Sequence, residues 1–430
     1  MIFRTRPGDS SSSATPLREL RVIATAYACE PHTGSETGIG WNIVREVSRG
    51  RGVHVTVITR TNNRLAIERA LAADPEAGLR FVYYDLPSWA GWWKRGRRGL
   101  QLYYYLWQIG AGRRAAALHA AQRFDCSHHI TFGRYWSPSF LPKLGIPFFW
   151  GPIGGGESAP DSFLPSLSTR GRISEALRGA ARWMGEHDPA VRRAAKSCAV
   201  AFATTAETSD RLEFLGVRRI VLLGNAALSR AEYDHLSRLP LPGDGPLRLV
   251  SAGRLVHWKG FDLGIRGLAE SGLRDAEYWI LGDGPSRASL EALARELGVA
   301  ELVKLPGSVP REDVINLLGR SHALVHPSLH DSGGWSCIEA MAAARPVICL
   351  DLGGPAVMVD NESGFKITPS TPAAAVAEVA RAITAFATDR GLLRRKGEVA
   401  RDRVRDLFSW EAKADQITRA YTSVLQPVTV

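Results

Sequence analysis

The sequence of 430 residues predicts an α/β protein with two doubly wound domains, each a parallel sheet covered by helices. Apolar runs of strand length alternate with amphipathic runs of helix length, as in folds built from βαβ units. This alternation stops at a Pro- and Gly-rich stretch, residues 236–246, and then restarts. The chain is also longer than a single hydrophobic core usually organises. Two domains facing a cleft are therefore expected.

The first block predicts a βαβ unit near its start. "LRVIATAY" is typical of a buried strand and leads into the glycine-bearing loop "CEPHTGSETGIG". "WNIVREVSR" then has a helical pattern, and "GVHVTVITR" is a second strand. Later strands are predicted at "RFVYYDL", "CSHHITF", "IPFFWGP" and "SCAVAFATT". We expect a disordered tail at 1–18 and a first domain at 19–235.

The second block has the same alternation, from the strand "LRLVSAGRL" to the strand "PVICLDLGG". It predicts a second domain at 236–407. The last pattern, "FSWEAKADQITRAYTSVL", is an amphipathic helix at 408–426 that follows the second domain.

Composition indicates a soluble globular protein, with 45 % hydrophobic and 23 % charged residues. No apolar run has the length of a spanning helix, and the N-terminus lacks the apolar centre of a signal peptide. The five scattered cysteines predict free thiols in a reducing cytoplasm. The net charge of +11 favours anionic partners such as nucleotides or lipid headgroups.

Two cations follow the first strand of the second block. In "SAGRLVHWKG", Arg254 and Lys259 lie in the loop between that strand and a helix that starts near Gly260. A guanidinium and an ammonium at a helix N-terminus can clamp a diphosphate, and Gly253 before them allows close approach. The alternative is an ordinary solvated loop. "LGDGP" follows the next strand, where Gly282 and Gly284 permit either ligand approach or a plain turn.

Two carboxylates flank the start of a helix in "HPSLHDSGGWSCIEAMAAARPVICLDLGG". Asp331 precedes the turn, and Glu339 lies early in the helix. Backbone amides around Gly333, Gly334 and Trp335 can cradle a phosphate, since helix N-termini carry unpaired N–H groups and partial positive charge. The carboxylates can accept hydrogen bonds from paired hydroxyls of a ribose and a sugar. Helix capping explains either acid alone but not the glycines between them.

Together these motifs resemble the retaining glycosyltransferases of the GT-B fold, in the group usually called family 4, over nearly all of the chain after residue 18. "PSLHDSGGWSCIEAMAAARPVI" resembles the family's signature in its spacing, with Asp331 where the first glutamate is usual and Ala344 where glycine is common. "GRLVHWKG" and "GDGP" also match the family's pattern. The resemblance implies that Arg254 and Lys259 bind the diphosphate and that Asp331 and Glu339 bind the donor.

The first block resembles the family more loosely. "HTGSETGIGWN" is similar to the family's first glycine loop, which implies that Gly34 and Ser35 approach the donor phosphate. "FDCSHHITFGRYWSP" is similar to a strand end with a donor-site histidine, either His128 or His129. These two side chains point to opposite faces of a strand, so one of them is expected to reach the cleft. The other interpretation is that each is a packed histidine.

A second glycine loop, "WGPIGGGE", follows a predicted strand. Gly154–Gly156 and Glu157 are consistent either with a ligand or with a simple turn. The last helix resembles the family's C-terminal helix, which crosses back to the first domain.

The resemblance implies transfer of a sugar from a UDP- or GDP-linked donor, with retention, to a glycan or lipid-linked acceptor in polysaccharide or glycolipid biosynthesis. No DxD-type aspartate pair is evident, so no metal and no other cofactor are expected. The cations and the helix N-terminus would stabilise the leaving phosphates.

Residues 86–114 predict peripheral contact with an anionic membrane at the inner face of the cytoplasmic membrane. Trp89, Trp92, Trp93 and Trp107 interleave there with six Lys and Arg residues and no acidic residue. The other interpretation is a core helix with a basic face.

Three other function classes make different demands on the sequence. A non-catalytic GT-B subunit that binds nucleotide-sugar stays open because Asp331 departs from the signature. A nicotinamide-dependent oxidoreductase is disfavoured, since no GxGxxG opens a helix with an acid about 20 residues later. Nucleic-acid binding is disfavoured because the basic residues follow no reader motif.

Overall fold

The computed structural model describes residues 19–49, 52–90, 99–243 and 245–425. The predicted tail at 1–18 lies outside the described residues. Within these ranges, thirteen strands form two parallel sheets. The strands are β1 Leu20–Ala26, β2 Val53–Thr59, β3 Leu79–Tyr83, β4 Cys126–Thr131, β5 Phe148–Ile153, β6 Cys198–Ala203, β7 Ile220–Leu222, β8 Leu247–Ala252, β9 Ala276–Leu281, β10 Val303–Gly307, β11 Ala323–His326, β12 Val347–Leu350 and β13 Gly364–Ile367.

Fifteen α-helices lie in the described ranges and connect or cover these strands. They are α1 Ser35–Ser48, α2 Arg64–Ala73, α3 Leu100–Ala121, α4 Thr169–Glu186, α5 Pro189–Lys196, α6 Ala206–Phe214, α7 Arg230–Ser237, α8 Phe261–Glu270, α9 Arg287–Glu296, α10 Arg311–Arg320, α11 Trp335–Ala342, α12 Gly353–Met358, α13 Pro372–Thr388, α14 Arg390–Leu407 and α15 Trp410–Leu425.

Both sheets have the doubly wound strand order. The described part of the first sheet runs β3-β2-β1-β4-β5-β6-β7, and that of the second runs β10-β9-β8-β11-β12-β13. In each, the order reverses beside the first strand, which leaves a crevice at the carboxyl ends of the central strands. β1 pairs in parallel with both β2 and β4, and β8 pairs with both β9 and β11. The predicted fold class of two facing Rossmann-like domains is confirmed.

The last helix returns to the first domain. α15 packs against α1, and its side chains Trp410, Ile417 and Tyr421 belong to the hydrophobic core that also contains β1 and β2. The aromatic ring of Tyr421 meets that of Phe149 on β5 edge-on at 4.7 Å between centroids. The chain thus crosses between the domains twice. The exact boundaries proposed from the sequence, at residues 235 and 407, stay predictions.

The segment at 86–114 divides into parts with different environments. Trp107 on α3 is fully buried, and its Nε1 donates a hydrogen bond to the Tyr84 carbonyl at 2.8 Å. Because this tryptophan is part of the core, the prediction that it lies at a membrane surface is wrong. Trp89 is exposed. Trp92, Trp93 and the cations of 94–98 lie outside the described residues. Among the helices that the structure describes, none is long and apolar enough to cross a bilayer.

All five cysteines are buried and free, as the sequence predicted; they are Cys29, Cys126, Cys198, Cys337 and Cys349.

A buried lysine lies on α15 near the crossing between the domains. Lys413 is 2 % exposed, and its ammonium donates to the carbonyl of Gly224, just after β7. Burial lowers the pKa of this lysine from 10.5 to about 7, since removing an ammonium from water disfavours its charged form.

We predict that Lys413→Met changes how stability depends on pH. Between pH 7 and 10.5 the unfolded chain holds the lysine proton that the folded protein has lost. This contribution to the free energy of unfolding therefore rises with pH. Urea unfolding over this pH range measures the effect. The free energy of unfolding of the wild type minus that of Lys413→Met should increase as the pH rises. The exposed Lys196→Met is the control, and parallel curves for wild type and Lys413→Met would contradict the prediction.

Candidate active site

A cavity of about 370 Å³ lies between the domains, at the carboxyl ends of the central strands. Loops after β4 and β5 and the start of α1 line it from the first domain, and loops after β8 and β11 line it from the second. Its polar or aromatic lining side chains include Glu36, Arg134, Trp136, Glu157, Arg178, Asn225, Trp258, His330, Asp331 and Trp335.

Asp331 bonds to side chains and to backbone amides at the wall of this cavity. Its Oδ2 lies 2.5 Å from the ammonium of Lys259 and 3.2 Å from Nε2 of His326. Burial opposes ionisation of Asp331, but the imidazole and the ammonium outweigh it and hold the pKa of the carboxyl well below its usual value. The cavity wall therefore contains an ionised carboxylate, which is in direct contact with Lys259; Lys259 itself lines neither this cavity nor the one at the ends of β8 and β9.

The backbone amides that precede α11 are bonded to the same carboxylate. Asp331 Oδ1 accepts hydrogen bonds from the N–H groups of Gly333 at 3.0 Å and Gly334 at 3.2 Å. The sequence predicted a phosphate on these amides, whereas here the carboxylate satisfies two of them, as short acidic side chains do in Asx turns. Gly334 caps α11 with φ 61°, and a Cβ there would meet the Met358 side chain at 2.6 Å. This left-handed backbone conformation favours glycine at position 334.

Arg254 lines a second cavity, of about 260 Å³, at the ends of β8 and β9. Gly253, Gly282 and Val309 also line it. The guanidinium lies over the Trp258 ring at 5.7 Å, and Trp258 lines the larger cavity between the domains. Arg254 is thus placed between the two cavities.

Gly282 and Gly284 bring two loops together. A Cβ at Gly282 would lie 2.0 Å from the Gly253 carbonyl oxygen, and one at Gly284 would lie 2.4 Å from that of Leu255. Close packing of the backbone against the loop of Arg254 explains both glycines without a ligand.

Glu339 lies on α11 and lines neither of these two cavities. Its side chain is largely buried, and Arg311 Nη2 at the start of α10 donates to its Oε1 at 2.5 Å. Burial raises the pKa of Glu339, and Arg311 offsets part of that rise. The sequence predicts that Arg254, Lys259, Asp331 and Glu339 follow strands of the second domain and share one site. The structure does not bring all four to one cavity. Their assigned roles stay predictions.

The first glycine loop forms the beginning of α1. Gly34 is the N-cap residue, and the side chain of Ser35 lies outside what the structure describes. The next residue, Glu36, lines the cavity, and its Oε1 accepts the N–H of Gly133 at 2.9 Å. Burial raises the pKa of Glu36, although the Gly133 N–H and the charge of Arg134 oppose the rise. The sequence analysis missed this carboxyl, although it lies within the quoted glycine loop.

Neither His128 nor His129 reaches the cavity. His128 Nε2 donates to the Gly151 carbonyl at 2.7 Å, and its Nδ1 faces the Tyr421 hydroxyl at 2.5 Å. His129 faces the Tyr104 hydroxyl at 3.1 Å. Burial lowers the pKa of these histidines to about 4 and about 3. β4 is central in its sheet and covered on both faces, so the expectation that one histidine projects into the cleft does not hold.

The second glycine loop does line the cavity. Gly154 and Gly155 contribute to its wall, and Glu157 accepts the Gly155 N–H at 3.0 Å and the Thr205 hydroxyl at 2.8 Å. Arg178 on α4 donates to the carbonyls of Gly155 and Glu157.

Two carboxylates of the first domain bond directly to the second domain, and the sequence analysis identified neither of them. Glu175 on α4 accepts from Nε2 of His257 at 3.2 Å and of His330 at 3.0 Å. Burial opposes ionisation of Glu175, but these histidines outweigh it and lower its pKa to about 2. Glu207 on α6 accepts the N–H of Gly353 at 2.8 Å. No sequence pattern links residues so far apart in the chain.

Within the described residues, no group of three or more His, Cys, Asp or Glu side chains is arranged to hold a metal ion. Metal independence of the reaction stays a prediction.

Residues 238–403 match the family model described as "Glycosyl transferases group 1". Over most of its length, the second domain is thus similar to this family. This match covers both the Arg254–Lys259 loop and the Asp331–Glu339 segment.

Curated glycosyltransferases are similar to part of the chain. The chain is 31 % identical over 205 residues to the 2-deoxystreptamine glucosyltransferase of Streptomyces kanamyceticus, covering 46 % of this chain and 52 % of that one. The lipopolysaccharide core biosynthesis glycosyltransferase LpsE of Rhizobium meliloti is 32 % identical over 213 residues, covering 49 % and 56 %. The chain thus spans about half the length of these relatives.

Solved structures match both domains. The lipopolysaccharide outer core galactosyltransferase WaaB in its apo form has a TM-score of 0.63 at 15 % identity, covering 94 % of this chain and 100 % of that one. The sucrose-phosphate synthase of Thermosynechococcus elongatus has a TM-score of 0.60 at 19 % identity, with 94 % and 99 % covered. Anabaena Alr3699/HepE in complex with UDP has a TM-score of 0.58 at 16 % identity, with 94 % and 100 % covered. At these identities the likeness shows the GT-B fold.

We predict that Gly154→Val separates the domains around the cavity. A Cβ at Gly154 would lie 2.9 Å from Thr204 Oγ1 and 3.1 Å from Cβ of Ser332, which belongs to the second domain. The larger valine should hold the loops apart and lower the free energy of unfolding by about 1–3 kcal/mol, as overpacking does. The matched control is Gly179→Val, where an added Cβ meets nothing within 4 Å. Equal free energies of unfolding for the two variants in urea would contradict the prediction.

Proposed function

We propose that the protein is a retaining glycosyltransferase of family 4 that transfers a sugar from a nucleotide-diphosphate donor to a glycan or lipid-linked acceptor. The observation that carries the proposal is the Asp331 carboxylate in the wall of the interdomain cavity, paired with Lys259 in a domain similar to the group 1 family. A cation for a phosphate and a carboxylate for sugar hydroxyls are the two groups that such a donor needs at the bond that breaks.

The donor would extend across the interdomain cavity and the smaller cavity of the second domain. Arg254 lies between them, so its guanidinium could bind a diphosphate with the nucleoside in the smaller cavity and the sugar in the larger one. Structures of the similar HepE contain UDP and glucose, which supports testing UDP-linked donors first and GDP-linked donors next.

Binding of a donor would exchange partners that the protein now supplies to itself. Lys259 is paired with Asp331, and Glu339 is paired with Arg311. A phosphate would take the ammonium of Lys259, and sugar and ribose hydroxyls would take the carboxylates. The exchange gives Lys259 a new anionic partner and gives the two carboxylates new hydrogen-bond donors, while Arg311, whose side chain is 58 % exposed, is left to solvent.

In the reaction, the bond between the anomeric carbon and the diphosphate oxygen breaks while the anomeric carbon bonds to an acceptor oxygen on the same face. The acceptor proton passes to an oxygen of the leaving phosphate. Arg254 and Lys259 would stabilise the charge that develops on the diphosphate without a metal ion. Trp136, Trp258 and Glu36 line the remaining cavity, where an acceptor could bind.

A non-catalytic, nucleotide-sugar-binding subunit is the second candidate. One observation favours it: Asp331 already occupies the amides of Gly333 and Gly334, where a phosphate was expected. A thermal-shift panel of uridine, guanosine and adenosine diphosphate sugars identifies the bound donor, since ligand occupancy stabilises the folded state. Slow release of the nucleotide from the stabilising donor indicates an enzyme, whereas stabilisation without release indicates a binding subunit.

We predict that Lys259→Met lowers kcat/KM for the identified donor by about 10²- to 10³-fold, as loss of one group that stabilises developing charge does. Lys304→Met, which replaces a lysine on β10 instead of the partner of Asp331, is the matched control and should change the value less than about twofold. Steady-state nucleotide release measures both, and similar values for the two variants would count against the assigned role of Lys259.

We predict that a chelator leaves the transfer rate unchanged, because Arg254 and Lys259 supply the positive charge at the diphosphate. Rates with the identified donor should agree before and after EDTA treatment and after addition of magnesium. Loss of transfer in EDTA that magnesium restores would contradict metal independence.

A further inference from the structure

The outer surface of α4 carries large apolar side chains in contact with solvent. Ile173, Leu177, Trp183 and Met184 are 55–67 % exposed. Their spacing along an α-helix places them on one side, together with the exposed Ala180. From Ile173 to Met184 the strip is about 16 Å long, at 1.5 Å per residue. This strip is called the α4 outer face below.

The amphipathicity of α4 is inverted with respect to the protein core. A surface helix usually turns its apolar stripe inward and its polar side outward. Here the polar side chains face the protein: Glu175 bonds to two histidines of the second domain, and Arg178 and Arg182 donate to carbonyls of the glycine loop. The α4 outer face is therefore not a remnant of core packing, and its exposure indicates an external partner.

The exposed charges in the first turn of α4, beside the α4 outer face, are positive. Both carboxylates of α4 are directed inward, since Glu175 contacts the second domain and Glu186 is buried and accepts the Tyr135 hydroxyl at 2.6 Å. Arg170 and Arg172, in the first turn, are exposed. A strip of Ile, Leu, Trp and Met beside arginines matches an interface with acyl chains and anionic headgroups.

We propose that the α4 outer face docks on an anionic lipid bilayer, with α4 lying in the plane of the interface. A second copy of the chain fits less well, because a symmetric contact would place the same arginines opposite each other. The surface differs from the 86–114 segment, where the described Trp107 is buried. The inference concerns binding alone and holds whichever reaction the cavity supports.

Docking by this face would set the orientation of the cavity. The opposite side of α4 holds the loop of Gly155 and Glu157, which lines the interdomain cavity. A bilayer on the outer face would then lie one helix diameter, about 10 Å, from that loop.

Flotation of the full chain with lipid vesicles tests the proposal. The wild type should float with phosphatidylcholine vesicles that contain phosphatidylglycerol and much less with phosphatidylcholine alone. Leu177→Ser combined with Trp183→Ser should weaken binding to the anionic vesicles at least about tenfold, because the apolar area available for burial is lost. The matched control is Leu65→Ser combined with Phe214→Ser, which removes equally exposed apolar side chains at 68 % and 66 % and should leave binding unchanged.

A labelled variant measures the contact directly and does not depend on binding strength. All five native cysteines are buried, so Ala180→Cys supplies a selectively reactive site on the α4 outer face. An environment-sensitive fluorophore there should shift to shorter wavelength when anionic vesicles are added. The same fluorophore at Leu65→Cys should not shift.

Three results would overturn the inference. One is flotation of the Leu177/Trp183 variant equal to that of the wild type, and another is an unshifted fluorophore at Ala180→Cys. The third is a wild type that does not bind anionic vesicles but whose dimer dissociates in the Leu177/Trp183 variant, which would make the face a contact between copies. Loss of vesicle binding with the donor-induced thermal shift retained supports the inference. If no donor is found but binding still depends on α4, the proposed function fails and this inference stands.

Discussion

The contact between Lys259 and Asp331 is the interaction on which the arrangement of the site depends. It joins the loop after β8 to the loop after β11, two neighbouring strands of the second sheet. Each partner is mostly shielded from water, so the pair compensates charges that would be costly to bury alone. The same carboxylate organises the turn before α11 through the amides of Gly333 and Gly334. One side chain thus connects the cation loop, the glycine turn and the start of a helix.

A second consequence follows from the Gly260 backbone. This glycine adopts φ 62° at the N-cap of α8, and a Cβ there would lie 2.1 Å from the Pro327 carbonyl oxygen. Only glycine allows this approach, which brings the adjacent Lys259 beside the strand end that leads to Asp331. The chemistry of the pair and the backbone geometry of the loop therefore depend on each other.

Contacts between the domains are concentrated around the same loops. Glu175 reaches His257 and His330, which neighbour Lys259 and Asp331 in the chain. A movement of α4 would therefore displace residues that are close in the chain to Lys259 and Asp331. α4 presents an apolar face to solvent and also links the two domains beside the cavity. A contact at its outer surface and the positions of the cavity residues therefore depend on the same helix.

The sequence by itself determined the two parallel sheets and the placement of Arg254, Lys259 and Asp331 in loops after strands, because strand and helix periodicity and glycine turns are local properties. It also determined that the cysteines are free thiols. Only the tertiary structure decided that His128 and His129 are buried, that Asp331 occupies the glycine amides, and that Glu339 bonds to Arg311 instead of lining the cavity. It alone placed Glu36 and Glu175 at the interface of the domains. The burial and the bonding partners of these side chains depend on residues that are distant in the chain. A local sequence pattern does not predict which distant residues come into contact.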